Sequence, residues 1–281
     1  MLIVCEPGLE DIVSNLIFES GFSGAEEKVV DDSTVFTAYF VPAGGDLDPV
    51  KRFASAIKGV ETGNDHPAAV ISETEPVPDE DWEKSWREGL ELVEIGERLV
   101  VHPSWIPYDN DGEHVEIVID PKMAFGTGSH DTTRMCLTYL EHTTLRDKSV
   151  LDVGCGSGIL SIAAVKLGAR CAIGFDIDKF SITNAAENIR SNSVHDRVQL
   201  YQANLSEAHP GHFNIILANL ISSTLIPHLR KFQSFLLPDA VIVFSGILAE
   251  ELTDFSAHLK KAKFKIVSTE TLGEWVSIIC E

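Results

Sequence analysis

The sequence predicts an α/β protein in two parts: a seven-stranded, mostly parallel sheet wound with helices from Ser149 onward, and a small α+β unit at the N-terminal end. Three observations carry this. From Ser149, apolar runs of strand length alternate with runs of helical period, as the crossover connections of a parallel sheet require. The run Val150-Leu151-Asp152-Val153 leads into glycines at 154, 156 and 158 and then directly into an apolar helix. Residues 1 to about 72 read instead as strand, helix, two strands, helix and strand, the order of a ferredoxin-like sandwich.

In that first unit Met1 to Cys5 is strand-like. Leu9, Ile12, Val13, Leu16 and Ile17 then form one face of a helix closed by Gly21. Ala25 to Val30 and Thr34 to Val41 are strands about the turn Asp31-Asp32-Ser33, a second helix carries Val50, Phe53, Ala54 and Ile57, and Ala68 to Ile71 is a last strand. No catalytic constellation occurs here; the unit serves either to bind a partner or as a folding or dimerisation appendage. Glu73 to Asp81 is acidic and marked by prolines, so residues 73–100 are assigned to a linker and 101–281 to the second domain. Trp82 and Trp86, four apart, share a helix face and suit packing against a neighbouring domain better than chemistry.

Val115 to Ile119 is a strand, followed by the loop Phe125-Gly126-Thr127-Gly128-Ser129-His130-Asp131-Thr132-Thr133-Arg134. A loop this rich in glycine and hydroxyls can close over a ligand, while Asp131 or Thr132 can cap the helix of Met135, Leu137 and Leu140. His130 could be a catalytic base, but no paired carboxylate or cysteine accompanies it, which favours a loop-fixing role. Strands then follow at 149–153, 171–176, 198–203, 213–219 and 240–245, with helices at 158–167, 179–192, 222–236 and 248–262. A hairpin of 264–270 and 274–280 about Thr271-Leu272-Gly273 completes seven strands.

Ligands of such sheets sit at the carboxyl ends of the strands. Three ends stand out: Gly154 to Gly158, Asp176, and Asn219-Leu220-Ile221-Ser222. Asp176 follows Gly154 by 22 residues, the spacing at which a carboxylate meets ribose hydroxyls in nucleoside-binding folds. Ile159 stands where the dinucleotide fingerprint needs Gly or Ala, and no Gly-Lys-Ser/Thr follows for a phosphate loop. Gly154-x-Gly156-x-Gly158 with Asp176 is instead similar to the first two motifs of the Rossmann-like methyltransferases, which bind S-adenosylmethionine. Asp178 reads as a helix cap. Asn204 reads as an adenine contact or a turn residue, and Asn219 as the group that orients an acceptor amine or as turn chemistry.

Composition narrows the classes. The five cysteines (Cys5, Cys136, Cys155, Cys171, Cys280) are scattered and lack a C-x-x-C pair, which fits a reducing cytoplasm and no metal site. No run of about 18 apolar residues and no leader pattern is present, so no membrane partner is expected. The net charge is −21 and no basic run exceeds two residues, as at Lys260-Lys261, which argues against a direct nucleic-acid substrate. An acidic surface suits a basic protein, or serves solubility alone.

The chain resembles the bacterial methyltransferases of ribosomal protein L11, the large-subunit stalk-base protein. The likeness covers most of the chain and rests on Asp81-Trp82 with Trp86, Gly96-Glu97-Arg98-Leu99, Pro103-Ser104-Trp105 and Ala124-Phe125-Gly126-Thr127-Gly128. It continues through Gly154 to Leu160, Gly174-Phe175-Asp176-Ile177-Asp178, Ala218-Asn219-Leu220, Ser245-Gly246-Ile247-Leu248 and Glu274-Trp275. The resemblance implies S-adenosylmethionine as cofactor and a substrate-recognition domain tethered to the catalytic one. The implied substrates are lysine side chains and the N-terminal α-amine of the stalk-base protein, free or on the ribosome. The implied cofactor contacts are Thr133, Gly154, Asp176 and Asn219, joined by Gly156 and Gly158 of the glycine motif, and Phe125, Gly126, Thr127 and Gly128 would wall the methyl-transfer channel. The sequence departs from the family's pattern at Asp131, where a proline usually lies between His130 and Thr132, at Lys179 and at Leu220. The rival readings are a nucleic-acid or small-molecule amine methyltransferase and a non-catalytic cofactor-binding adaptor.

Overall fold

A computed structural model describes residues 1–5, 9–30, 33–40, 48–58, 60, 69–71, 91–110, 112–120 and 126–281. The chain divides into two compact units, Met1–Trp86 and Arg87–Glu281.

The first unit runs β1 (Leu2–Cys5), α1 (Glu10–Glu19), β2 (Gly24–Val30), β3 (Ser33–Tyr39), α2 (Pro49–Ile57) and β4 (Ala69–Ile71). Its sheet has the order β2-β3-β1-β4 with every pair antiparallel, as the ferredoxin-like reading requires. Strand alternation sets the core: Ile3 and Cys5 point inward with Phe36 and Ala38, and Val13, Ile17, Phe53 and Ile57 of the helices bury against them. Asp48 starts α2 by accepting the Val50 N–H at 2.9 Å. The expected Asp31-Asp32 turn, the Trp82/Trp86 pair and most of the linker lie outside the described residues.

The second unit opens with β5 (Val93–Ile95), β6 (Leu99–His102) and β7 (Val115–Val118), a three-stranded sheet. The linker therefore ends before residue 100. Ile95, Leu99 and Val101 are buried apolar residues of this unit's core and pair across a tight turn, so the segment cannot be a solvated tether. Glu141 holds that turn by accepting the N–H groups of Glu97 and Arg98. A Cβ on Gly96 (φ 61°) would fall 1.6 Å from its carboxylate, which explains the Gly96-Glu97-Arg98 run.

The large sheet contains β8 (Ser149–Val153), β9 (Cys171–Asp176), β10 (Val198–Gln202), β11 (Phe213–Asn219), β12 (Leu236–Leu248), β13 (Ile266–Leu272) and β14 (Trp275–Cys280). Their order is β10-β9-β8-β11-β12-β14-β13, parallel except for β14, which pairs antiparallel with both neighbours. The strand order reverses between β8 and β11, which creates a crevice at their carboxyl ends. Helix α3 (Asp131–His142) packs against β11, β12 and β14, whereas α4 (Ile159–Lys166) and α5 (Lys179–Ser191) pack against β8, β9 and β10. The expected helix 222–236 is broken into α6 (Ser222–Leu225), a 3-10 turn at Ile226–His228 and α7 (Leu229–Gln233). Pro227 has no N–H to continue the helical ladder. Residues 248–262 likewise begin with a 3-10 turn before α8 (Leu252–Lys261).

Candidate active site

The central strand β8 is buried along its whole length, and it delivers the glycine turn into the crevice. Gly154, Gly156 and Gly158 have φ of 71°, 52° and 82°, a region in which side chains are strained. A Cβ on Gly154 would also lie 2.7 Å from Leu220 Cδ2, so this turn and the end of β11 are in contact. The N–H groups of Gly154 and Cys155 both donate to Phe175 O, at 2.9 and 3.0 Å. Gly156 N–H donates to Asp176 Oδ2 at 3.0 Å. The turn is thus folded onto the end of β9. It feeds α4, whose cap Gly158 offers no side chain, so the positive end of that helix faces the turn.

Asp176 uses one oxygen for Gly156 and the other, Oδ1, for the Asp178 N–H at 3.0 Å. Each carboxylate oxygen has a further lone pair, so Asp176 can also accept two ribose hydroxyls. The next side chain, Ile177, is 64% exposed. Asp178 caps α5 by accepting the N–H groups of Phe180 and Ser181, and these bonds hold its carboxyl below the ordinary value. Asn204 accepts the Ser206 N–H at 2.9 Å, the turn role of its two readings.

Asn219, the last residue of β11, donates through Nδ2 to Thr133 Oγ1 at 3.3 Å. Thr133 is buried in the first turn of α3. Ser245 fixes that turn by donating to Thr132 O at 3.0 Å, and its own carbonyl accepts the Leu220 N–H. Gly246 (φ 84°) lies so close that a Cβ would come within 2.8 Å of Leu220 O. The Ser245-Gly246 pair therefore sets the position of Asn219. His130, and not Asp131 or Thr132, caps α3: its Nδ1 accepts the Thr132 N–H at 3.3 Å, and its ring lies 5.2 Å from that of Trp275. This is the loop-fixing role.

Gly126 and Gly128 have φ of 100° and 91°, and Gly126 O accepts the Ser157 hydroxyl at 2.6 Å. Thr127 Oγ1 lies 2.7 Å from Ser129 Oγ. Phe125 lies outside the described residues. The fold thus joins Gly156 to Asp176, Thr133 to Asn219, and Gly126 to the glycine turn. No metal-ligating cluster occurs among the described residues.

Beneath the turn Asp152 is fully buried and accepts the N–H and hydroxyl of Ser161 at 3.0 and 2.7 Å. Burial pushes its carboxyl up to about 6 despite these bonds. The folded state then holds this proton more tightly than the unfolded one, so stability falls as pH rises from about 4 through about 6. The penalty at neutral pH is about 3 kcal/mol. Asp152→Asn is expected to melt progressively above the wild type as pH increases across that window. Thermal unfolding of both proteins as a function of pH checks this, and a gap independent of pH would contradict it.

The family description "Ribosomal protein L11 methyltransferase (PrmA)" matches residues 10–281. The chain belongs to this family. The L11 methyltransferase of Alkaliphilus oremlandii is 32% identical over 96% of this chain and 93% of its own. That of Thermoanaerobacter pseudethanolicus is 31% identical over 96% and 94%. The crystal structure of the L11 methylase from Lactobacillus delbrueckii subsp. bulgaricus covers 68% of this chain and 97% of its own, at 31% identity and a TM-score of 0.64. As an L11 methyltransferase family member the protein is an S-adenosylmethionine-dependent methyltransferase. The left-handed glycines and the spare acceptor capacity of Asp176 fit that cofactor.

Proposed function

We propose that this protein transfers methyl groups from S-adenosylmethionine to amines of ribosomal protein L11, at lysine side chains and the N-terminal α-amine. The observation that carries the reading is the Asn219–Thr133 pair at the crevice, in contact through Leu220 with the glycine turn. With Nδ2 committed to Thr133, Asn219 presents Oδ1 as acceptor for an incoming amine N–H. S-adenosylmethionine supplies an electrophilic sulfonium methyl, so the protein's task is placement and desolvation. A lysine with a pKa of about 10.4 is mostly charged at neutral pH and must first release a proton, which passes to water. Asp176 then holds the ribose, the glycine turn admits the cofactor's close approach, and Gly154, Gly156 and Gly158 together with Thr133 complete its site. Gly126, Thr127 and Gly128 bound the channel.

Met1–Trp86 is the recognition unit in this account. Helices α1 and α2 cover one face of its sheet, whereas Leu2 and Val4 of the other face are 46% and 41% exposed. A net charge of −21 favours encounter with a basic ribosomal protein, free or assembled, over nucleic acid. No helix among the described residues is long and apolar enough to cross a membrane, and we place the reaction in the cytoplasm with its substrate. Methyl-labelled S-adenosylmethionine incubated with separated ribosomal proteins and RNA tests the proposal. Label in L11 that resists nuclease is the expected result, whereas label in RNA, or none at all, would refute it.

A further inference from the structure

Two asparagines of α5, Asn184 and Asn188, and the Asn192 that caps its C-terminus recur every four residues and are all buried. Among the described residues they serve the edge of β7, and of its continuation to Asp120, that faces away from β6. Asn192 accepts the Val118 N–H at 3.0 Å and donates to Val118 O at 2.6 Å. Asn188 Oδ1 accepts the Asp120 N–H at 3.1 Å, and Asn184 donates to Asp120 O at 2.7 Å. Side-chain amides here replace the backbone of a neighbouring strand. Buried amides matched in this way are costly to disturb, because the partner left behind is desolvated and unpaired.

Asn188 does more than complete the ladder. Its Nδ2 donates to Ser157 O at 2.9 Å, inside the glycine turn, and the buried Ser157 hydroxyl donates to Gly126 O. Backbone groups at Asp120 and at Gly126 are thereby both tied to the cofactor turn, one through Asn188 and one through Ser157. A Cβ on Gly126 would lie 2.8 Å from Ser157 Oγ, so the approach has no slack. The Asn192 side chain belongs to the same ladder but, among the described residues, bonds Val118 and the Asn188 carbonyl.

We propose that Asn188 and Ser157 are positioning residues for methyl transfer, holding the acceptor side of the site at Asp120 and Gly126 in register with the turn that carries the sulfonium. The inference rests on the methyltransferase reading above. Asn192 supplies the control, since its loss weakens the ladder without touching the turn.

The test compares Ser157→Ala, Asn188→Ala and Asn192→Ala in the full-length protein, with recombinant L11 as acceptor. Ser157→Ala, nearly isosteric, keeps the question answerable if Asn188→Ala fails to fold. The first two are expected to lower kcat by about 10- to 100-fold, the cost of misplacing reacting groups, with cofactor affinity little changed. Asn192→Ala should lower Tm while keeping kcat. A second readout is independent of turnover: S-adenosylhomocysteine should slow amide exchange in the peptide containing Gly126 in the wild type, and Ser157→Ala should abolish that slowing. If kcat falls equally in Asn192→Ala, or if the cofactor product slows exchange at Gly126 as well without the Ser157 hydroxyl, the assignment is wrong. A wild type that binds S-adenosylhomocysteine but methylates nothing would refute the functional reading alone, and the exchange measurement would still decide the clamp.

Discussion

Asp176→Ala is expected to weaken S-adenosylmethionine binding by about 100-fold, from two hydrogen bonds to a charged acceptor at about 1.5 kcal/mol or more each. The loss has two sources. Asp176 is the proposed acceptor for the ribose hydroxyls, and it also fixes the Gly156 N–H and hence the shape of the turn. Asp176→Asn retains an acceptor oxygen but cannot serve both the Gly156 and Asp178 N–H groups with equal strength, so it should fall between. Calorimetric titration of the three proteins with S-adenosylmethionine reads this directly. An affinity in Asp176→Ala close to that of the wild type would remove the ribose assignment, whatever the chain's family.

Asn219→Ala should act on the chemical step, lowering kcat by about 100-fold, the usual cost of removing one oriented polar group from a reacting centre. Its amide orientation decides this. Thr133 accepts from Nδ2, which leaves Oδ1 as the proposed acceptor for the amine, and a methyl group cannot replace that acceptor. Thr133→Val should lose part of the same effect by freeing the amide to rotate. Single-turnover methylation of L11 at saturating cofactor measures the step. If Asn219 were only a turn residue, the alanine variant would melt earlier and still transfer methyl groups at the wild-type rate.

The elements legible in the sequence are those whose pattern is set locally. β8, β9 and β11 are apolar runs because both faces of a parallel sheet are covered, and their predicted limits match the structure. Three glycines with positive φ in five residues betray a tight turn wherever they occur. The misread parts depend on distant contacts. β5 and β6 are three and four residues long, too short for alternation to show, and are made strands by each other and by β7. The cap of α3 went to His130 because its ring can reach forward to Thr132 while resting on Trp275, a residue far along the chain. Asn184, Asn188 and Asn192 resemble the solvated face of a helix, and only the fold reveals that β7 takes up their amides. Within the candidate site, Asp176 and Asn219 are legible as polar residues ending apolar strands, whereas nothing in the glycine spacing marks Ser157, whose hydroxyl meets Gly126 O only in the fold.

Methylation of ribosomal protein L11 by this crevice can be tested on the L11 that cells make. Intact-mass measurement of L11 from ribosomes of a strain lacking its own L11 methyltransferase, complemented with this chain, is the direct experiment. The wild-type chain should restore a mass increase in whole methyl steps, and Asp176→Ala, expressed to the same level, should not. L11 of unmodified mass despite abundant wild-type protein that binds S-adenosylmethionine would contradict the account and assign the crevice to another acceptor.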